Sequence, residues 1–298
     1  MPLHPEIAKV LASLPAPPPG PLDPVAMRAG EEAQVPPVEE RLPVASVEDT
    51  SIAGVPVRMY ADVSTDSPGT LVYLHGGAFF LGSLNTHDHV ARELARATGL
   101  RVVSVGYRLA PEHAFPAGLE DCYAVVRTVA EEGPGTLALA GDSSGGTFVA
   151  AVAAKAHDEG VDAITHQILY YPSLDLDFDE DRYASLRENA VGYGLETAGL
   201  KPFNAFYLDS GADPADPLVS PIKREDLSGL PKALVITAEL DPLRDEGELY
   251  AERLETAGVD ATLRRYAGAG HGFVQHFAWI PEYHQVYDDT AAFLRGEL

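Results

Sequence analysis

A single cysteine, Cys122, occurs in 298 residues. No internal disulfide can form, and no cysteine cluster is present to hold a metal. Cys122 falls in an amphipathic stretch and reads as a small core residue. Basic residues are also scarce: 21 Lys and Arg face 45 Asp and Glu, for a formal charge of −24. Such a balance leaves no basic stripe to neutralise nucleic-acid phosphates, and it opposes adsorption to anionic membranes. We read the acidity as a solubility trait rather than as a guide for substrate. No apolar run approaches the ~18 residues of a membrane span. The first twenty residues lack the basic and apolar regions of a secretory leader. A cytoplasmic protein is therefore expected, with no nucleic-acid partner and no stable membrane association.

What is present is an ordinary globular balance, 46% hydrophobic and 22% charged, in a chain long enough for one large α/β domain. Residues 1–43 are proline-rich (Pro15, Pro17, Pro18, Pro19, Pro21, Pro24) with short helices expected over Pro5–Leu14 and Asp23–Glu32. This arm cannot build a core alone and should drape over the rest or stay mobile. Residues 44–298 read as the main domain. A hairpin over Val44–Ile52 and Val55–Tyr60 is followed by apolar strands at Thr70–Leu74, Arg101–Tyr107, Thr136–Ala140, Gln167–Tyr171, Lys232–Ala238 and Ala261–Tyr266. Helical segments intervene, so a mostly parallel sheet with helices on both faces is expected. The last of these strands could lie at a sheet edge and pair between two copies of the chain. Residues 173–217 break the rhythm, first acidic and then aromatic, and read as an inserted cap.

The chain is organised around Ala140-Gly141-Asp142-Ser143-Ser144-Gly145-Gly146-Thr147, between what reads as a buried strand and an alanine-rich helix. In the pattern G-x-S-x-G, small residues on both sides let strand and helix pass while the serine is held in a strained turn. Ser143 would present its hydroxyl there, and the Ser144 amide would face any oxyanion formed. A plain glycine-rich turn is the alternative. His75-Gly76-Gly77-Ala78-Phe79 follows another central strand, and its glycine amides could complete an oxyanion hole or merely form a tight turn. A serine needs a base to take its proton and a carboxylate to orient that base. His271 and Asp241 both follow strands, at the edge of an open parallel sheet where ligands bind. Glu239 and Asp245 are rival acids. His87-Asp88-His89 lacks a third ligand at metal-binding spacing and reads as structural. Arg108 and Glu112 could pair as scaffolding.

Taken together, His75-Gly76-Gly77-Ala78-Phe79, Tyr107-Arg108-Leu109-Ala110-Pro111-Glu112, Gly141-Asp142-Ser143-Ser144-Gly145-Gly146, Asp241-Pro242-Leu243 and His271-Gly272-Phe273 resemble the hormone-sensitive-lipase-like bacterial carboxylesterases. The resemblance implies an α/β-hydrolase fold with a helical cap formed by the N-terminal arm and the insertion. It implies Ser143 as nucleophile, His271 as base, Asp241 as acid, and an oxyanion hole from the amides of Gly76, Gly77 and Ser144. Candidate substrate contacts are Phe79, Asp142, Tyr193, Phe203, Phe206 and Tyr207; those of the insertion could instead form the cap's own core. Two departures stand out: Ala78 replaces a usual glycine, harmless if Gly76 and Gly77 are the donors, and Ser144 replaces a usual alanine. The expected activity is hydrolysis of short- to medium-chain esters, with no metal and no cofactor. An amidase or formamidase would use the same groups, whereas a small-ligand receptor on this scaffold would be missing one of the three.

Overall fold

The computed structural model describes residues 2–14, 20–62, 69–133 and 135–298; the prolines at 15 and 17–19 lie outside them. Eight strands form one sheet: β1 (Ser46–Ile52), β2 (Val55–Ala61), β3 (Gly69–Leu74), β4 (Arg101–Val105), β5 (Thr136–Asp142), β6 (His166–Tyr170), β7 (Lys232–Leu240) and β8 (Ala261–Gly270). Their spatial order is β1-β2-β4-β3-β5-β6-β7-β8; β2 pairs antiparallel with both β1 and β4, and the remaining pairs are parallel. This is the mostly parallel α/β sheet that the alternation of apolar runs indicates.

The strand side chains alternate between two buried layers, as a period of two dictates for a sheet covered on both faces. On β3, Val72 and Leu74 face one layer while Leu71 and Tyr73 face the other. The first layer is covered by α4 (Ala117–Ala130), α5 (Ser144–Asp158) and α8 (Arg244–Thr256) through Leu119, Val149 and Leu254. The second is covered by α3 (Asp88–Thr98) and α10 (Pro281–Leu294) through Leu94 and Val286.

Ahead of the sheet lie α1 (Pro5–Ser13) and α2 (Pro24–Glu32). Helix α1 sinks Ile7 into the second layer, and the His4 amide donates to the Gly268 carbonyl at 3.0 Å. Helix α2 is fastened by Arg28, whose Nε donates to the Phe80 carbonyl at 2.7 Å and whose Nη atoms reach Glu112 at 2.8 and 2.9 Å. Between β6 and β7 the chain forms α6 (Ser185–Glu188) and α7 (Thr197–Leu208); α9 (Phe273–His276) follows β8.

Two local expectations change. The Arg108–Glu112 pair does not form: Arg108 reaches across to Asp121 on α4 at 2.8 Å, and Glu112 turns to Arg28 instead. Strand β8 does not stop at Tyr266. Small residues let Ala267–Gly270 stay in the ladder beyond an irregularity at Ala238–Leu240, with Gly270 opposite Leu240. Of the His87-Asp88-His89 run, Asp88 is held by Arg92 and Tyr60, and His89 Nε2 donates to the Gln275 carbonyl at 2.7 Å.

Candidate active site

Ser143 joins β5 directly to α5 with φ 53° and ψ −121°, a conformation that L residues rarely hold. Three backbone hydrogen bonds keep it there: its N–H donates to Tyr170 O at 2.9 Å, and its carbonyl accepts from Gly146 at 2.9 Å and Ser173 at 3.1 Å. Glycine is required on both sides. A Cβ at Gly145 would run into the Leu74 carbonyl, and one at Gly141 into the Gly145 carbonyl.

His271 is the first residue past β8, and its Nε2 lies 2.9 Å from Ser143 Oγ. Its Nδ1 lies 2.7 Å from Oδ2 of Asp241, the first residue past β7. Asp241 is fully buried; its Oδ1 accepts the Leu243 amide at 2.9 Å. Asn189, from the segment between β6 and β7, donates to the Asp241 carbonyl at 3.0 Å. Both rival acids are engaged elsewhere. Glu239 accepts the Gly268 amide at 2.7 Å, and Asp245 accepts the Ser185 amide at 2.8 Å. Tyr171 packs edge-on against the His271 ring, with centroids 4.9 Å apart.

The loop after β3 carries Gly77, Ala78 and Phe79 at φ 120°, 48° and 66°. Such a run curls the chain so that Phe80 and Leu81 both donate to the Gly77 carbonyl. The Gly76 amide, expected among the oxyanion donors, is occupied: it donates to Asp142 Oδ1 at 2.9 Å. The amides of Gly77, Ala78 and Ser144 have no partner among the described residues, and all three residues line the cavity with Ser143. Ala78 is therefore not incidental. Ser144 Oγ accepts the Phe79 amide at 3.3 Å and braces the loop against α5.

Asp142 is buried beneath this loop, where its Oδ1 also accepts the Tyr73 hydroxyl at 2.6 Å. Burial opposes its charge, but His87, Tyr73 and the Gly76 amide outweigh that and hold its pKa down at about 2. His75, stacked on Tyr107 with centroids 4.3 Å apart, is pushed the other way: burial, reinforced by His87, lowers its pKa to about 3.

A cavity of about 600 Å³ opens over Ser143 and His271. Its walls are mainly apolar: Val10, Leu11 and Leu14 from the N-terminal arm, Phe80, Leu195, Leu200, Phe203, Leu243, Phe277 and Trp279. Of the expected substrate contacts, Asp142, Tyr193 and Phe203 line it. Phe79, Phe206 and Tyr207 do not. Phe79 is turned under the loop and stacks on buried Tyr207 at 3.8 Å, while Phe206 supports Phe80 from behind at 4.9 Å. The sequence reading missed Phe80, Leu11, Asn204 and Trp279; nothing in their spacing marks them. Among the described residues no group of three or more His, Cys, Asp or Glu could hold a metal, and no helix is long and apolar enough to cross a membrane.

A family model described as alpha/beta hydrolase fold matches residues 71–275. The chain is 40% identical over 258 residues to Carboxylesterase NlhH of Mycobacterium tuberculosis, covering 81% of this chain and 80% of that protein. It is 35% identical to ethyl acetate hydrolase of Pseudomonas putida over 238 residues, 76% and 74% of the two chains. Among solved structures, a hyperthermophilic esterase from the archaeon Pyrobaculum calidifontis superposes with a TM-score of 0.90 at 38% identity, covering 99% of both chains.

Proposed function

Because the chain belongs to the alpha/beta hydrolase fold family, where its motifs ally it with the hormone-sensitive-lipase-like esterases, we propose that it is a serine carboxylesterase for small esters. The observation that carries this reading is the continuous relay from Ser143 Oγ to His271 Nε2 at 2.9 Å and from His271 Nδ1 to Asp241 at 2.7 Å. His271 takes the Ser143 proton as Oγ bonds to the ester carbonyl carbon. Buried Asp241 fixes the ring's tautomer and stabilises the imidazolium. The oxyanion is received by the unpartnered amides of Gly77, Ala78 and Ser144, already aimed and needing no reorganisation. His271 then returns the proton to the departing alkoxide oxygen, and the alcohol leaves an acyl group on Ser143. A water, deprotonated by His271, attacks that acyl carbon and releases the acid and the free serine.

The N-terminal arm and residues 173–217 act as the cap, since both contribute walls to the cavity. A 600 Å³ chamber suits short- to medium-chain esters rather than bulk lipid, and the name of the Pseudomonas relative points the same way. A fluorophosphonate should label one serine, and Ser143→Ala should abolish both labelling and hydrolysis, lowering kcat by roughly 10⁴-fold or more. In a p-nitrophenyl acetate, butyrate and laurate series, laurate should be the poorest substrate. Labelling that survives in the alanine variant overturns the assignment of the nucleophile; faster cleavage of an amide than of its matched ester would make the protein an amidase.

A further inference from the structure

Asn204 and Ser173, residues of the cavity wall, each carry a side-chain oxygen with no hydrogen-bond partner among the described residues. Asn204 on α7 is 4% exposed and lines the cavity beside Leu200 and Phe203. Its Nδ2 donates to the Leu200 carbonyl one turn back at 2.8 Å, and this bond settles which way the amide faces. Oδ1 is left with no partner among the described residues. Ser173 is also 4% exposed and lines the cavity. Its backbone is anchored beside the nucleophile, N–H to the Ser143 carbonyl at 3.1 Å and carbonyl to the Thr147 hydroxyl, while its Oγ has no partner among the described residues. Tyr171 also lines the cavity with an unpaired hydroxyl, but that group lies beside the Gln275 backbone; Gln167 and Ser104, whose Oε1 and Oγ are unpaired, do not line it. Buried polar groups in native proteins are nearly always satisfied, and leaving one unpaired is costly. Two such groups in the wall of a substrate chamber are therefore groups awaiting a ligand.

An amide oxygen only accepts, so its partner must donate. Flanked by Leu200 and Phe203, Asn204 offers nothing to compensate an ammonium charge; a neutral hydroxyl fits. We propose that Asn204 determines specificity for esters that carry a hydroxyl group, whose O–H donates to Asn204 Oδ1, with Ser173 Oγ available as a second partner near the nucleophile. This rests on the esterase reading above. Replacing the hydroxyl by hydrogen leaves the Asn204 acceptor stranded in the complex, which is how a polar pocket rejects an apolar analogue.

The test compares kcat/KM of the wild-type protein for ethyl butanoate, ethyl 2- and 3-hydroxybutanoate, and 2-hydroxyethyl butanoate, each divided by its alkaline hydrolysis rate. The acyl-side and alcohol-side esters distinguish where the hydroxyl sits. At least one hydroxylated ester should exceed ethyl butanoate by about tenfold or more, and Asn204→Leu should bring that ratio close to one. If Asn204→Leu does not fold, Asn204→Met serves the same comparison. Equal rates for all four esters in the wild type would overturn the inference and leave the esterase reading standing, provided Ser143 still labels. A preference that persists in the variants removes Asn204 from the role; failure to hydrolyse any ester overturns both.

Discussion

At the scale of single residues, the site depends on groups that never touch the reacting atoms. Asp142 ties the loop after β3 to the strand that carries Ser143, through the Gly76 amide and the Tyr73 hydroxyl. Asp142→Ala strands both donors in a buried place, at about 1–3 kcal/mol for each. Urea denaturation should register that loss, and kcat should fall with it because the Gly77 and Ala78 amides lose their support. Ser144→Ala is milder. Only the bond from the Phe79 amide, 3.3 Å long, disappears, so stability should drop by about 1 kcal/mol or less while kcat declines. An unchanged kcat in Ser144→Ala would mean the brace does not hold the oxyanion donors. The second layer beneath, His75, belongs to the stability of the loop rather than to its chemistry.

Among elements, α2 has no buried residue and is held by polar side chains: Arg28, Glu31, which accepts the Gly82 amide at 3.1 Å, and Glu32, which accepts from Ser83 and Asn85. Arg28 grips the Phe80 and Ala110 carbonyls from α2 and meets Glu112 at the surface. The surface pair contributes little; the carbonyl bonds are the hold. Arg28→Ala should therefore release α2 to proteolysis while the sheet stays intact, and KM should rise as Glu31 and Gln34, cavity residues on and after α2, lose their position. The strands and helices that build this frame were legible because short apolar runs alternate with helical segments along the chain, and Ser143, Asp241 and His271 could be located as residues following strands. Other features were not legible, for identifiable reasons. Ala267-Gly268-Ala269-Gly270 reads as a loop by composition, yet it pairs with β7. The positive φ angles of Gly77, Ala78 and Phe79 break side-chain alternation, so Phe80 rather than Phe79 faces the cavity. The engagement of the Gly76 amide was not legible because its contact with Asp142 joins positions 66 apart in the chain.

For the whole molecule, charge and pH set the limits. Like charges summing to −24 repel across the surface, so raising salt from ~0.01 M to ~0.1 M, which shortens the screening length about threefold, should raise Tm; a flat Tm would mean the acidic groups are already neutralised by their ion pairs. His75 gives a second dependence. Its folded pKa of about 3 lies below the ordinary 6.5, so the unfolded chain binds a proton that the folded chain refuses. Its contribution is complete above pH 6.5 and is lost as pH falls from there toward 3. Between pH 7 and 5.5 the loss should be about 1 kcal/mol, and His75→Asn should remove that part of the slope in urea titrations. The fold also bears on timing. His271 stands one residue past the last rung of a hydrogen-bonded ladder, with its ring already between Asp241 and Ser143. A ring mounted on so stiff a support has no dormant position to leave, so if His271 is the base proposed, product should accumulate linearly from the moment of mixing, and thickening the solvent with sucrose should slow turnover only to the extent that passage through the chamber mouth, rather than bond making, sets the pace.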